Sequence, residues 1–559
     1  MTTAPLVDDA ANRSLWRALR PRSKRPLTRA LRGLACLAMA LASLPARADL
    51  ESDIRALVRD AGLGESVAGV AVKDLDTDRY LVRIEADRAL APASNMKVLT
   101  TAAALGRLGP DFAFETRLER IAGPDPQTVD LILRGGGDPV FGDPTLLRRL
   151  ERQINQGRAP ADHVKLTADT VLDDWCNDLV EEGVGRIDTL WVDDRVFDDE
   201  FVHPDWPKDQ LDFYYCAQVA GLNFYNNVIS FTAAPTSPGA APAIEAYPFG
   251  DFVTTYNLAR TGRTNDLRIT REPDANVFTL RGATPSRERV SASRTTHDPP
   301  MFLANLLAER LQARGVEVGA IARPTLRTNL PPSVVIERFR STLPWVLLRV
   351  NRDSHNMAAE AVLKRLGHEM TGAPGSYQAG AAAVRRFLSE ELHGRAPIHG
   401  VLVADGSGMS HRNRLTARLL VETLDHMLED PAQADVLRAS LARPGQSGTL
   451  RNRMKDDLTA RLYAKTGTIG RPIDGQWISA SSLSGVLELD DPQNPGQVRR
   501  VAFSILVNGF RPRFTNAPVR RLQDRIVNEI DDDLVRRASA AAAATPSAPA
   551  EATPAAGAR

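Results

Sequence analysis

The sequence has no surplus of charge of either sign. Its 70 basic and 69 acidic residues leave a net charge of +1 over 559 residues, so no chain-wide field draws it to nucleic acid or to an anionic membrane. It also lacks a long hydrophobic run. The apolar stretch LACLAMALASL near the N-terminus is too short to span a bilayer, and nothing after it approaches the ~20 residues of a membrane helix. Cysteine is scarce: of three, Cys36 falls in that N-terminal stretch. Cys176 and Cys216 remain, either as one pair or as two free thiols, since spacing in sequence does not give a Cα separation. Several chemical signatures are missing as well. RGGGDPVFGDP at 134–144 lacks the Gly-Lys-Ser/Thr ending of a phosphate-binding loop. GHEMTG at 367–372 is not the H-E-x-x-H of a zinc peptidase, the histidines fall at no ligand spacing, and no G-x-S-x-G elbow is present. The acidic run DDRVFDDEFVHPD at 193–205 has no calcium-loop pattern and reads as a solvated loop. No metal and no cofactor is expected.

What is present begins with the leader. Basic residues from Arg13 to Arg32 precede the apolar stretch, and PARAD then offers Ala46 and Ala48 to a signal peptidase. Residues 1–48 therefore read as a cleaved signal peptide, giving a periplasmic protein with no stable membrane anchor. With 43% hydrophobic and 25% charged residues the rest has the composition of a globular protein. VAGVAVKDLDTDRYLVRI at 67–84 alternates as a β-hairpin does, and 94–107 follows as a helix ended by GRLGP. The stretches 460–469, 477–489 and 498–510 read as three successive strands, and the amphipathic run after Asn516 as a C-terminal helix. Residues 340–367 and 377–392 look helical. Residues 112–297, rich in Gly, Pro and Asp with short β-rich runs, show little helical periodicity. The expected layout is a first part of one α/β domain over 49–111, an inserted β-rich domain over 112–297, and a second part over 298–537. A disordered Ala/Pro-rich tail over 538–559 completes it.

Three short motifs carry chemistry. Ser94 and Lys97, in APASNMKVLTT, stand three residues apart at a helix start, where i and i+3 share a face and the macrodipole favours negative charge. Serine needs an adjacent base, and a lysine becomes one when burial or a second cation lowers its pKa; Lys465 is the expected second cation. Alone, S-x-x-K reads more readily as a helix cap beside a surface lysine. NRDSHNMAAE adds Ser354, His355 and Asn356, and YAKTGTI adds Lys465, Thr466, Gly467 and Thr468. Together they follow the order S-x-x-K, S-x-N, K-T-G of penicillin-recognising serine enzymes. Lys465 and Thr466 suit a substrate carboxylate, and Gly467 leaves room for the backbone to approach an extended ligand. The N–H groups of Ser94 and Thr468 suit an oxyanion. Ser354 suits a relay to the leaving amine, and Asn356 a bond to Lys97 and a substrate amide.

With RGGGDP at 134–139, AGLNFYNN at 220–227, DGSGMSHRNR at 405–414 and GQSGTLRNRM at 445–454, these motifs resemble the class C low-molecular-mass penicillin-binding proteins. Those are D-alanyl-D-alanine carboxypeptidase/endopeptidases of the penicillin-binding protein 4 type. The roughly 260 residues between Ser94 and Ser354 are similar to that family's arrangement, which places an insert there. The resemblance implies a transpeptidase/β-lactamase-like fold, an antiparallel sheet between helices interrupted by a largely β insert. It implies peptidoglycan stem peptides and cross-links as substrates, an acyl-enzyme at Ser94, and β-lactams as covalent inhibitors. The alternative is a β-lactamase that turns the antibiotic over. Two positions depart from the family pattern: His355, where Asp or Asn is commoner, which bears on pH dependence, and the wording of GQSGT.

Overall fold

The computed structural model describes residues 49–544 apart from 126, 456, 474–475, 492–493 and 511–515. The signal peptide expected over 1–48 and the tail beyond 544 lie outside the described residues. Helix α1 (Leu50–Asp60) starts at Asp49, whose carboxylate accepts from the Ser52 N–H, satisfying one of the first-turn donors. β1 (Val67–Asp74) and β2 (Arg79–Ile84) pair antiparallel as the expected hairpin. A single 3₁₀ turn, Ala93–Asn95, then feeds α2 (Met96–Leu108), in which every side chain from Met96 to Leu105 is buried. A helix covered all round belongs inside a core. It ends at Gly109, whose φ of 81° only glycine adopts without strain.

The next segment contains β3 (Ala113–Asp125), β4 (Thr128–Gly135), α3 (Pro144–Ile154), α4 (Ala168–Glu181) and β5 (Arg186–Asp193). Eight short strands, β6 to β13, follow between Val228 and Thr295, and then α5 (Pro299–Gln312), β14 (Glu317–Ala322) and β15 (Val334–Thr342). The long strands form one mixed sheet in the order β14-β5-β4-β3-β15. β14 and β15, both beyond residue 297, are thus hydrogen-bonded into the sheet that β3 begins. The segment is also more helical than its sequence suggests. α3 is capped by Asp143 with Pro144 in its first turn, and α4 has a Thr167–Thr170 capping box and buries Val171, Leu172, Trp175, Cys176 and Leu179. Cys176 and Cys216 are both buried and form no disulfide with each other, which settles their open pairing. The acidic run is not solvated at its start: Asp193 and Asp194 are buried, and Asp193 is paired with Arg134 and Arg195.

The chain continues through α6 (Leu343–Asn351), α7 (Asn356–Thr371), α8 (Tyr377–Glu391), α9 (Ala417–Glu429) and α10 (Pro431–Ser440). β16 (Arg461–Ile473), β17 (Gln476–Asp490), β18 (Val498–Asn508) and α11 (Ala517–Ala544) complete it. The helix expected over 340–367 is two helices. Residues 340–342 finish β15, and Arg352–His355 break the run with Ser354 at φ 59°. α11 covers residues 538–544 of the expected tail, as alanine, the best helix former, favours. β16, β17, β18, β1 and β2 form an antiparallel sheet in that order, which joins the two ends of the chain. Its side chains alternate. Val70, Val72, Phe503 and Ile505 pack with α1 and α11, while Ala71, Ala502 and Leu506 pack with α2 and α6 to α9. The result is an antiparallel sheet between two helical layers. A separate cluster of Phe197, Trp206, Cys216, Ala217, Val219, Met357 and Ala361 presses the loop after β5 onto α7.

Candidate active site

The three motifs meet at one end of α2. Ser94 sits in the 3₁₀ turn with no side-chain capping bond from either flanking residue, so it is not the cap of the helix. The preceding Ala93 is fully buried at φ 47°, a left-handed conformation that costs a non-glycine residue energy and that clusters at functional sites. Ser354 is the second such residue, in the break between α6 and α7.

Lys97 is fully buried. Its Nζ lies 3.2 Å from Ser94 Oγ, 2.8 Å from Asn356 Oδ1 and 2.6 Å from the Ser407 carbonyl. An ammonium fills all three with N–H bonds. A neutral amine gives its two N–H groups to Asn356 and Ser407, which leaves its lone pair for the Ser94 hydroxyl. Burial is the largest influence and lowers Lys97 to about 7, against the opposing carboxyls of Glu360 and Asp405. The expectation that Lys465 does this is replaced by burial. The repulsion is felt at Lys465, which burial and then Lys97 push well down.

Lys465 Nζ donates to Ser354 Oγ and to the Thr466 carbonyl, each at 2.8 Å. Its own carbonyl accepts from Asn95 Nδ2 at 3.0 Å, which fastens β16 to the Ser94 turn. A Cβ on Gly467 would stand 2.8 Å from Ser94 N and 2.2 Å from Ser482 Oγ. Gly467 is therefore required by close approach to the turn carrying Ser94, as well as by any ligand. Thr466 Oγ1 donates to Thr449 Oγ1 at 2.8 Å, and Thr468 Oγ1 accepts from Asn516 Nδ2 at 3.2 Å. Asn356 opens α7, and its Nδ2 donates to the Tyr215 carbonyl at 2.9 Å. Ser94, Ser354, Asn356, Thr449, Thr468 and Tyr214 line a cavity of about 480 Å³. All eight residues anticipated from sequence therefore converge at this cavity or support its wall.

His355 is the N-cap of α7, its Nδ1 accepting from the Ala358 N–H at 3.2 Å. That bond leaves the remaining ring proton on Nε2. Burial and then the Arg349 guanidinium push its pKa down to about 3, so the ring stays neutral. Among the described residues no group of three or more His, Cys, Asp or Glu is placed to hold a metal.

A nucleophile with an aligned amine, a second amine on a hydroxyl, and a glycine strand alongside make a constellation for acyl transfer. Residues 50–529 match the D-Ala-D-Ala carboxypeptidase 3 (S13) family. The chain belongs to that family. S13 enzymes are serine-type peptidases, and the protein is accordingly a serine-type D-Ala-D-Ala carboxypeptidase. It is 30% identical over 493 residues to a D-alanyl-D-alanine carboxypeptidase of Actinomadura sp. (strain R39), covering 84% of this chain and 83% of that protein. It is 21% identical over 505 residues to D-alanyl-D-alanine carboxypeptidase DacB of Haemophilus influenzae, covering 87% and 95% respectively. The crystal structure of penicillin binding protein 4 from Haemophilus influenzae superposes with a TM-score of 0.67 at 20% identity. It covers 86% of this chain and 99% of that one, and it shows that the two share a penicillin-binding fold.

Sequence reasoning missed four residues that the structure brings to this site. Ser407 and Thr449 lie in the noted DGSG and GQSGT stretches, but their contacts to Lys97, 310 residues away, and to Thr466, 17 residues away, depend on how the chain folds back. Tyr215 meets Asn356 through its carbonyl, which no side-chain pattern announces. Glu360 was legible as a lone charge in the apolar run NMAAEAVL, one helical turn past Asn356.

Proposed function

We propose that the protein cleaves D-alanyl peptide bonds of peptidoglycan stem peptides and their cross-links through an acyl-enzyme at Ser94. Ser94 Oγ bonds to the carbonyl carbon of the penultimate D-alanine and passes its proton to neutral Lys97. The C–N bond to the terminal residue then breaks, and its nitrogen leaves with a proton relayed through Ser354 and Lys465. Water next adds to the ester carbonyl, releasing the shortened peptide and returning a proton to Ser94. Lys465 and Thr466 receive the substrate carboxylate, whose negative charge favours the ammonium form of Lys465. Thr468 and Ser94 offer backbone N–H groups to the oxyanion, each such donor commonly contributing ~10²- to 10³-fold in rate.

The observation that carries this reading is the threefold environment of Lys97 Nζ, which leaves Ser94 as the one partner of the neutral amine able to give up a proton. The β-lactamase alternative has no comparable support, because the family and the relatives are carboxypeptidases. We place the protein in the periplasm, on the strength of the leader at 1–48. We take the inserted unit as 113–342, on the strength of its closed sheet. Intact-protein mass spectrometry after benzylpenicillin exposure tests the nucleophile: one adduct on the wild type and none on Ser94→Ala is expected, and equal labelling would remove the assignment. Release of D-alanine from monomeric and cross-linked muropeptides tests the substrates. Fast regeneration of free enzyme from the penicillin adduct would favour the β-lactamase.

A further inference from the structure

Behind Lys97 stands a carboxyl that the reaction above does not use. Glu360 is fully buried on α7, one turn past Asn356. Its Oε2 accepts the Gly406 N–H and its Oε1 the Ser407 N–H, each at 2.8 Å. The carbonyl of the same Ser407 accepts from Lys97 Nζ at 2.6 Å, and that of Gly406 accepts from Thr100 Oγ1 at 2.8 Å. The Asp405–Gly408 turn is thus clamped between α7 and α2. It also presses on the nucleophile's own segment: at Gly408, with φ 85°, a Cβ would lie 1.8 Å from the Ala93 carbonyl oxygen.

We propose that Glu360 is a positioning residue for acylation: its carboxylate seats the Ser407 carbonyl against Lys97, and its negative charge sets how firmly that amine holds a proton. The inference rests on Lys97 being the base that takes the Ser94 proton. A carboxylate accepting two backbone N–H groups has the bonding of the ionised form. The other groups facing the pair are accounted for. Asp405 on the turn is occupied by the N–H groups of Gly408 and Ser410 and by Asn413 Nδ2. Lys364, further along α7, is bonded to Asp198 and the Glu200 carbonyl. Tyr377 on α8 is neutral, its pKa raised well above the usual value by burial. Lys465 on β16 and His355 at the start of α7 are described above. Burial lowers Lys97 while Glu360 and then Asp405 oppose it, and burial with the adjacent Asp405 raises Glu360. Without the Glu360 charge, less opposes desolvation of the amine, and Lys97 sheds its proton at lower pH.

Two variants separate charge from shape. Glu360→Gln keeps the length and removes the charge, at the cost of turning an amide NH₂ toward a backbone N–H. Glu360→Asp keeps the charge and shortens the reach. The readout is the rate constant for benzylpenicillin acylation of Ser94, followed by intact mass from pH 5 to 9 per titratable site, so the folded fraction affects only the amplitude. Glu360→Gln is expected to move the acid limb down by about one pH unit, the smaller end of what one nearby charge does, and to lower the plateau. Glu360→Asp is expected to lower the plateau with the limb where the wild type has it. A Glu360→Gln limb at the wild-type position, or the same shift in both variants, overturns the proposal. Lys97→Ala run alongside isolates the underlying reading: acylation at the native rate there would remove Lys97 as base, whereas loss of acylation with an unmoved Glu360→Gln limb would remove only the role of Glu360.

Discussion

At Lys97 a single amine is asked to be two things. Protonated, it is held by three acceptors; neutral, it keeps two of them and turns its lone pair on Ser94. With burial lowering it to about 7, the base form is lost as the pH falls through that value, so acylation should decline on the acid side of neutrality and hold above it. A general base contributes ~10²- to 10⁴-fold, and Lys97→Ala should lose acylation by that order at every pH, which a pH series of β-lactam acylation rates reads directly. His355, the titratable residue that stood out in the motif, behaves otherwise. It is a neutral cap, so His355→Ala should cost about 1 kcal/mol of stability, as lost caps do, and His355→Asn should recover it. Urea denaturation measures both, and an acid limb that stays put in both variants checks that the ring carries no charge. The side chains of the site were readable because S-x-x-K, S-x-N and K-T-G each need particular residue types in order. The carbonyls of Ser407 and Tyr215 were not, because any residue supplies a carbonyl and only the fold chooses which one.

Among the elements, β16 has little tolerance, because it must pass against the Ser94 turn. Gly467→Ala brings a methyl to within 2.8 Å of Ser94 N, and either the strand or the turn must retreat. Misplacing reacting groups by about 1 Å costs ~10²-fold, whereas overpacking costs about 1–3 kcal/mol. Acylation should therefore fall by about two orders of magnitude with a modest loss in melting temperature; calorimetry beside penicillin labelling checks the contrast. The hairpin at 67–84 and the three late strands were legible, since their alternation directly reflects one face against α1 and α11 and the other against α2. The break at Arg352–His355 was not, because a polar NRDSHN stretch between two apolar helices keeps the general helical composition while Ser354 turns left-handed. α4 was overlooked for a related reason: its apolar stripe of Val171, Leu172, Trp175, Cys176 and Leu179 is interleaved with acidic residues in a segment otherwise dominated by Gly, Pro and short strands.

Over the whole molecule, the cavity depends on how the loop after β5 is fastened to α7. Asn356 holds Lys97 with one end of its amide and the Tyr215 carbonyl of that loop with the other, so a shift of the loop is transmitted to the base. The fastening has an ionic pin: Lys364 Nζ is bonded at 2.7 Å to both Asp198 Oδ1 and the Glu200 carbonyl and lies 4.5 Å from the Tyr377 ring centre. Its two ends differ in exposure, 0% for the lysine side chain and 30% for the aspartate. That difference fixes which truncation is worse. Removing the lysine leaves a carboxylate that water still reaches, while removing the aspartate leaves a buried ammonium with a carbonyl and a ring face, and stranding one buried charge costs about 3–5 kcal/mol. Asp198→Ala should accordingly destabilise the protein more than Lys364→Met, whose aliphatic stem still fills the site. Urea denaturation gives that order. Acylation by benzylpenicillin should fall further in Asp198→Ala too, because the loop that brings Tyr215 to Asn356 has lost its anchor. Equal or reversed losses would mean that the Lys364–Asp198 pair does not anchor this loop to α7.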